Sequence, residues 1–171
     1  MITMKLEIAQ LNDADALADI FWKHINGHPE YISHGEMQMG VGVAGVTDNG
    51  GLYGVPAADG REKWMRYITE KMSSEDAAVY KAVSEGEIAG FCVADIEEDG
   101  DRPFGMVCDV LVKENHRGKG IGESLLEKAV GWLRMKGIKD IYLESGKDNA
   151  SAHRFFEKRG FVHISEIFKL K

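Results

Sequence analysis

The chain has 171 residues, 44% hydrophobic and 29% charged, which allows one domain with a substantial core and excludes two comfortable ones. No apolar run approaches the ~20 residues of a membrane span, and the opening MITMKLEIAQ lacks the apolar region of an export signal, so a cytoplasmic protein that does not bind membranes is expected. The net charge of −7 disfavours nucleic acid as a partner.

Taken in order, Lys5–Ala9 alternates apolar and polar residues and reads as a first strand. Asn12 or Asp13 can cap a helix with Ala16, Leu17, Ile20 and Phe21 on one face. Residues 26–60 are atypical. They contain nine glycines, Pro29 and Pro56, hold no steady period, and read as one long loop. His24, His28 and His34 have no cysteine near them, and no metal is expected there. Arg61–Met72 then reads as a helix with Trp64, Ile68 and Met72 on one stripe.

A run of strands follows: Ala77–Val83, a turn at Gly86, Ile88–Ile96, a charged turn at Glu97–Pro103, and Phe104–Val112. Cys92 and Cys108 lie in apolar strand runs and read as buried thiols. The next helix carries Ile121, Leu125, Ala129 and Leu133 on one stripe and stops at Gly137. Ile138–Leu143 follows that helical crossover, so it should run parallel to Phe104–Val112. Asn149 or Ser151 opens a last helix ending at Gly160. Phe161–Leu170 alternates again and reads as a closing strand. Trp64 and Trp132 are expected in the core. The predicted fold class is α/β: one domain over residues 1–171, with a mixed, mostly antiparallel sheet, one parallel strand pair, and helices on both faces.

The stretch VCDVLVKENHRGKGIGESLL, residues 107–126, organises the rest. Glycines at the mouth of a helix let backbone N–H groups approach a ligand. A helix N-terminus offers unpaired donors and the positive end of its dipole, so the natural guest is a phosphate. A P-loop would need Ser or Thr after Gly118-Lys119, where Gly120 stands. A dinucleotide fingerprint would need Gly at the position of Glu123. Charge agrees with an anionic guest: residues 113–171 carry 13 Lys/Arg against 8 Asp/Glu, while residues 1–112 carry 8 against 20. The acidic portion favours a cationic acceptor.

The spacing that does fit is R-x-x-G-x-G, as Arg117, Gly120 and Gly122, followed by NASAHRFFEKRGF from Asn149 to Phe161. In these two motifs the chain resembles the GNAT superfamily of N-acetyltransferases, well over residues 76–162 and poorly over the first 75. The resemblance implies that Arg117, Gly118, Lys119, Gly120, Ile121 and Gly122 wrap the pyrophosphate of acetyl-coenzyme A. The backbone of Leu111, Val112 and Lys113 would bind the pantetheine arm, with Asn149 and Phe156 beside it. It further implies transfer of an acetyl group to a primary amine of a small molecule or protein, by a monomer or homodimer. A non-catalytic acyl-coenzyme A-binding module is the alternative.

The 26–60 segment lies where this family holds its acceptor, so it reads as an acceptor-side loop, with Tyr31 and Tyr53 as pocket residues. Asp109 is the only ionisable side chain between Phe104 and Val112 besides the Cys108 thiol. A carboxylate in an apolar strand is costly unless paired or used, which makes Asp109 the first candidate base and Glu144 the second. Phe156 stands where many family members have a tyrosine that protonates the leaving thiolate. Tyr142 or water would have to replace it, or no acid is needed.

Overall fold

The computed structural model describes residues 3–98 and 100–170. Its elements are β1 (Met4–Ile8), α1 (Ala14–Gly27), α2 (His34–Gln38), β2 (Gly42–Val46), β3 (Leu52–Pro56), α3 (Gly60–Ser73), β4 (Ala77–Ser84), β5 (Glu87–Glu98), β6 (Pro103–Val112), α4 (Ile121–Met135), β7 (Ile141–Leu143) and α5 (Ala150–Glu157). Five strands form one sheet in the order β1-β4-β5-β6-β7, and β2-β3 form a separate ribbon. Every pair in the large sheet is antiparallel except β6 and β7, which are parallel. The α4 crossover forces that parallel pair, because strands that run the same way need a long connection.

Each face of the sheet carries its own core. On one, α1 and α3 bury Leu17, Phe21, Ile25, Trp64 and Ile68 against Val79, Phe91 and Val93. Phe21 stacks on Trp64 with centroids 4.6 Å apart, and Phe91 meets the indole edge-on at 5.5 Å. On the other, Ile121, Leu125, Ala129 and Leu133 of α4 are buried over Ala82, Cys92, Ala94 and Val107. Arg61 holds α3 to α1 through Asp15 and Asp19, at 2.9 and 2.7 Å.

Three expectations need correction. Residues 26–60 are not a long loop: after α1 the chain makes a single turn at Pro29–Tyr31, then α2, then the β2-β3 ribbon. The glycines that hid this pattern are required by it. Ile32 crosses the ribbon so closely that a Cβ at Gly54 would lie 2.5 Å from its side chain, and one at Gly42 2.8 Å. The strand after α4 spans only Ile141–Leu143, since Ile138 is spent on the core below α4. Residues 161–170 form no strand: Phe161 is partly buried against the α4-side core, and the apolar side chains from Val162 on stand in solvent.

Candidate active site

β6 and β7 are bonded only from Gly105↔Ile141 to Val107↔Leu143. Beyond that they part, because the chain after Leu143 leaves the sheet to start α5. The parting opens a cleft of about 520 Å³ between β6, the start of α4 and α5. Leu111 and Val112 line it from the strand, Arg117, Gly118, Gly120, Ile121 and Gly122 from the loop, and Asn149 and Phe156 from α5. Of the other residues expected there, Lys113 sits to the side with its ammonium 3.4 Å from Glu87, and Lys119 points to solvent.

The loop is built to present its backbone. Gly118 and Gly120 have φ of +77° and +78°, and a Cβ on either would meet nothing within 4 Å. The space over them is therefore open, and conformation rather than crowding demands glycine there. The first bond into α4 runs from the Ser124 N–H to the Gly120 carbonyl at 3.1 Å. The N–H groups of Ile121, Gly122 and Glu123 thus have no helical acceptor, and they sit at the positive end of a 15-residue helix.

Three contacts brace this loop. The His116 ring is buried, with Nε2 2.6 Å from a Glu87 carboxyl oxygen. Arg117 Nε donates to the Val112 carbonyl at 3.1 Å, and its NH2 lies 3.3 Å from Nδ1 of His24. Burial, then the Arg117 charge, pushes the His24 pKa down to about 4, so near neutral pH this ring accepts the guanidinium's proton contact.

A bulge in β6 sets the other half of the site. Val93 faces Asp109 and Ala94 faces Val107, which leaves Cys108 as the extra residue. A bulge re-aims its neighbours, and Asp109 comes opposite Val93 on the face covered by α1 and α3. There the Tyr67 hydroxyl of α3 donates to Asp109 Oδ2 at 2.9 Å. Asp109 itself is half-buried. Burial raises its pKa to about 8, the Glu36 charge adding to the effect and the Tyr67 bond opposing it. Burial likewise raises Glu36, and the charge of Glu144 adds to it. Lys71 pairs with Asp95 close by.

Glu144 is already engaged. It lies 2.6 Å from Nδ1 of His34 and accepts from the Gly35 N–H at 3.0 Å, tying α2 to the end of β7. That geometry fits a tether better than a free base. Tyr142 stands edge-on to Phe104 on the sheet's outer strand and does not line the cleft. Cys92 is buried with its thiol pushed up to about 12, and burial raises Cys108 as well, so neither is a ready nucleophile.

Sequence reasoning missed Tyr67, Glu36 and the place of His24. Tyr67 follows Trp64 by three residues on α3, so the helical stripe was a usable signal for which face it takes. His24 and Tyr31 reach the cleft between β6 and α5. His24 and His28 are one helical turn apart, and with Tyr31 they form a ring cluster, His28 stacked on Tyr31 at 4.7 Å. Tyr53 instead covers Gly45 within the β2-β3 ribbon. Among the described residues no three His, Cys, Asp or Glu side chains converge on a metal position. No described helix is long and apolar enough to cross a membrane.

Residues 52–161 match the family model described as the acetyltransferase (GNAT) family. The chain belongs to the GNAT acetyltransferase family. Its match takes in β3 through α5, hence Asp109 and all the residues lining the cleft except His24 and Tyr31. A streptothricin acetyltransferase of Escherichia coli is 32% identical over 97 residues, 56% of this chain and 53% of that protein. One from Streptomyces lavendulae is 30% identical over 116 residues, 67% of this chain and 54% of that protein. The chain thus spans about half the length of these curated relatives. Among solved structures, the aminoglycoside N-acetyltransferase AAC(6')-Iy in complex with CoA superposes with a TM-score of 0.72 at 14% identity, over 100% of this chain and 95% of that one. A predicted acetyltransferase from Clostridium acetobutylicum with acetyl-CoA gives 0.70 at 16% identity, over 100% and 96%. These two likenesses establish a shared fold.

Proposed function

We propose that this protein transfers the acetyl group of acetyl-coenzyme A to a primary amine on a basic small molecule. The observation that carries the reading is the cleft between β6 and α5, floored by glycines in left-handed conformation at the mouth of α4. The unpaired N–H groups of α4 and the Arg117 charge suit a pyrophosphate. The strand backbone at Leu111 and Val112, freed from β7, suits the pantetheine arm. Asn149 lines the same cleft while its side-chain oxygen caps α5 through the Ala152 N–H at 3.3 Å.

The acceptor side supports an amine. Asp109 and Glu36 put carboxyl groups near one another on the face opposite Val110, within the acidic part of the chain. The relatives named for streptothricin and for aminoglycosides, both basic antibiotics, favour a small basic acceptor over a protein amine. In the reaction the amine nitrogen bonds to the thioester carbonyl carbon, and negative charge gathers on the carbonyl oxygen, where fixed N–H donors stabilise it. Asp109 in its ionised form takes the nitrogen's proton. The C–S bond then breaks and the electron pair leaves on sulfur.

The departing thiolate needs little help, since a thiol has a reference pKa of about 8.5. The positive end of α5 at Asn149 adds to this. Phe156 fills the place of a donor in the cleft wall, in edge-on contact with Phe155 at 5.4 Å and Phe161 at 6.0 Å. Phe156→Tyr is therefore expected to change single-turnover transfer by less than about tenfold, below the usual general-acid range. A gain of a hundredfold or more would mean that a missing phenol limits the reaction, and would favour a module that binds acyl-coenzyme A without using it.

The central test follows release of free coenzyme A thiol with a panel of amines, from monoamines to aminoglycosides and streptothricin. Turnover should appear with the basic, multiply charged members. Binding of coenzyme A with no thiol release from any amine would overturn the transferase reading and leave the binding module.

A further inference from the structure

Among the described residues, the cleft is lined by two arginines and one carboxylate: Arg117, Arg159 and Glu123. The carboxylate is the odd member. Glu123 stands in the first turn of α4, and its own N–H is one of the three that have no helical acceptor. An acidic side chain at that place suits the helix dipole. It also sets a negative charge beside the N–H groups that a pyrophosphate would use, and like charges repel.

Arg159, just past the end of α5, is fixed against this carboxylate. Its NH2 lies 3.3 Å from Glu123 Oε2, and its NH1 donates to the Phe155 carbonyl at 2.9 Å. The guanidinium carbon stands 3.8 Å from the centre of the Phe155 ring, a cation–π contact. That ring rests in turn on the loop, where a Cβ at Gly122 would lie 3.5 Å from Phe155 Cζ. Gly122, Phe155 and the guanidinium thus form one packed unit at the mouth of α4. Arg159 Nε is buried and has no partner among the described residues. A surface ion pair contributes little and needs no such burial. Burying a donor unsatisfied is costly, so this placement calls for a reason beyond the pair itself.

We propose that Arg159 is the counter-charge that lets a pyrophosphate settle at the mouth of α4, by neutralising Glu123. The inference rests on acetyl-coenzyme A being the donor. It is separable from a tether that only ties the end of α5 to α4. With a tether, losing either half of the pair loosens the cleft and weakens binding alike. With a counter-charge, the two halves act in opposite directions. Glu123→Gln removes the repulsion and leaves Arg159 free to attract the phosphates. Arg159→Met leaves the carboxylate facing them, while an apolar stem still covers Phe155.

Calorimetric titration with coenzyme A tests this on wild type, both single variants and the double variant. The dissociation constant should rise roughly tenfold in Arg159→Met and fall roughly threefold in Glu123→Gln, the size of one partly screened charge beside another. The double variant should return to within about twofold of wild type, because its cleft has the same net charge. All these differences should shrink between about 0.05 and 0.5 M salt. Dephospho-coenzyme A, which keeps the pyrophosphate and lacks the ribose phosphate, should rank the four proteins in the same order. Weaker binding by both single variants would make the pair a tether and overturn the proposal. An unchanged constant in Arg159→Met, or a ranking lost with dephospho-coenzyme A, overturns it equally. A wild type that does not bind coenzyme A at all overturns the donor assignment, and this inference with it.

Discussion

Asp109→Asn is expected to lower turnover by about 10²–10⁴, the usual size of a general-base contribution. The amide is nearly isosteric and can still accept the Tyr67 hydroxyl, so the local packing survives and the proton acceptor does not. With its pKa raised to about 8 by burial and the Glu36 charge, the wild-type carboxyl is protonated and idle on the acid side. Its rate should climb as pH rises through about 8, and that limb should be missing in the variant. Stability supplies the control. A carboxyl whose folded pKa lies above its unfolded value of 3.8 holds its proton more tightly in the folded state. Between those two pH values the folded protein binds more protons than the unfolded one, so this group's contribution falls as pH rises from about 4 to about 8. Asparagine has no such dependence, and the variant's melting temperature at pH 8 should equal or exceed wild type. A variant that keeps the limb and loses only acceptor affinity would make Asp109 an orienting residue and turn attention to Glu144→Gln.

Gly120→Val should abolish the rise in melting temperature that millimolar coenzyme A gives the wild type. The φ of +78° at this position is disfavoured for any side chain by roughly 1–2 kcal/mol, and a β-branched one fares worst. The valine methyls would also occupy the open space above the loop, where phosphate oxygens must reach the N–H groups of α4. The variant should therefore unfold at a somewhat lower temperature and show no further shift with ligand. Gly131→Ala is the matched control. It lies in the middle of α4 with nothing within 4 Å of its Cβ, should gain up to about 1 kcal/mol of helix propensity, and should keep the shift. Higher ionic strength should weaken the wild-type shift moderately, because part of the attraction is screened charge. A full shift in Gly120→Val would detach the loop from the phosphate.

What the sequence determined by itself was carried by pattern within single elements, above all the helices. The stripe Ile121, Leu125, Ala129 and Leu133 specifies a helix and its buried face, because a period of 3.6 can be read within one element. The glycines at 118, 120 and 122 mark the loop at the mouth of α4, because a backbone bent into left-handed conformation at 118 and 120 constrains closely spaced residues. The helical crossover between β6 and β7 makes that pair parallel, because neighbouring strands of one sheet joined in this way run in the same direction. Only the tertiary structure decided the rest. Residues 26–60 become a helix and a ribbon because Ile32 presses on Gly42 and Gly54, contacts that leave no local period. Asp109 acquires Tyr67 from 42 residues away, and Glu144 reaches the Gly35 N–H across 109. The alternation in residues 162–170 promises a strand, yet an alternating pattern states only that one face wants cover. Whether that cover is found depends on what lies beside it in space, and no run of residues encodes its own neighbour.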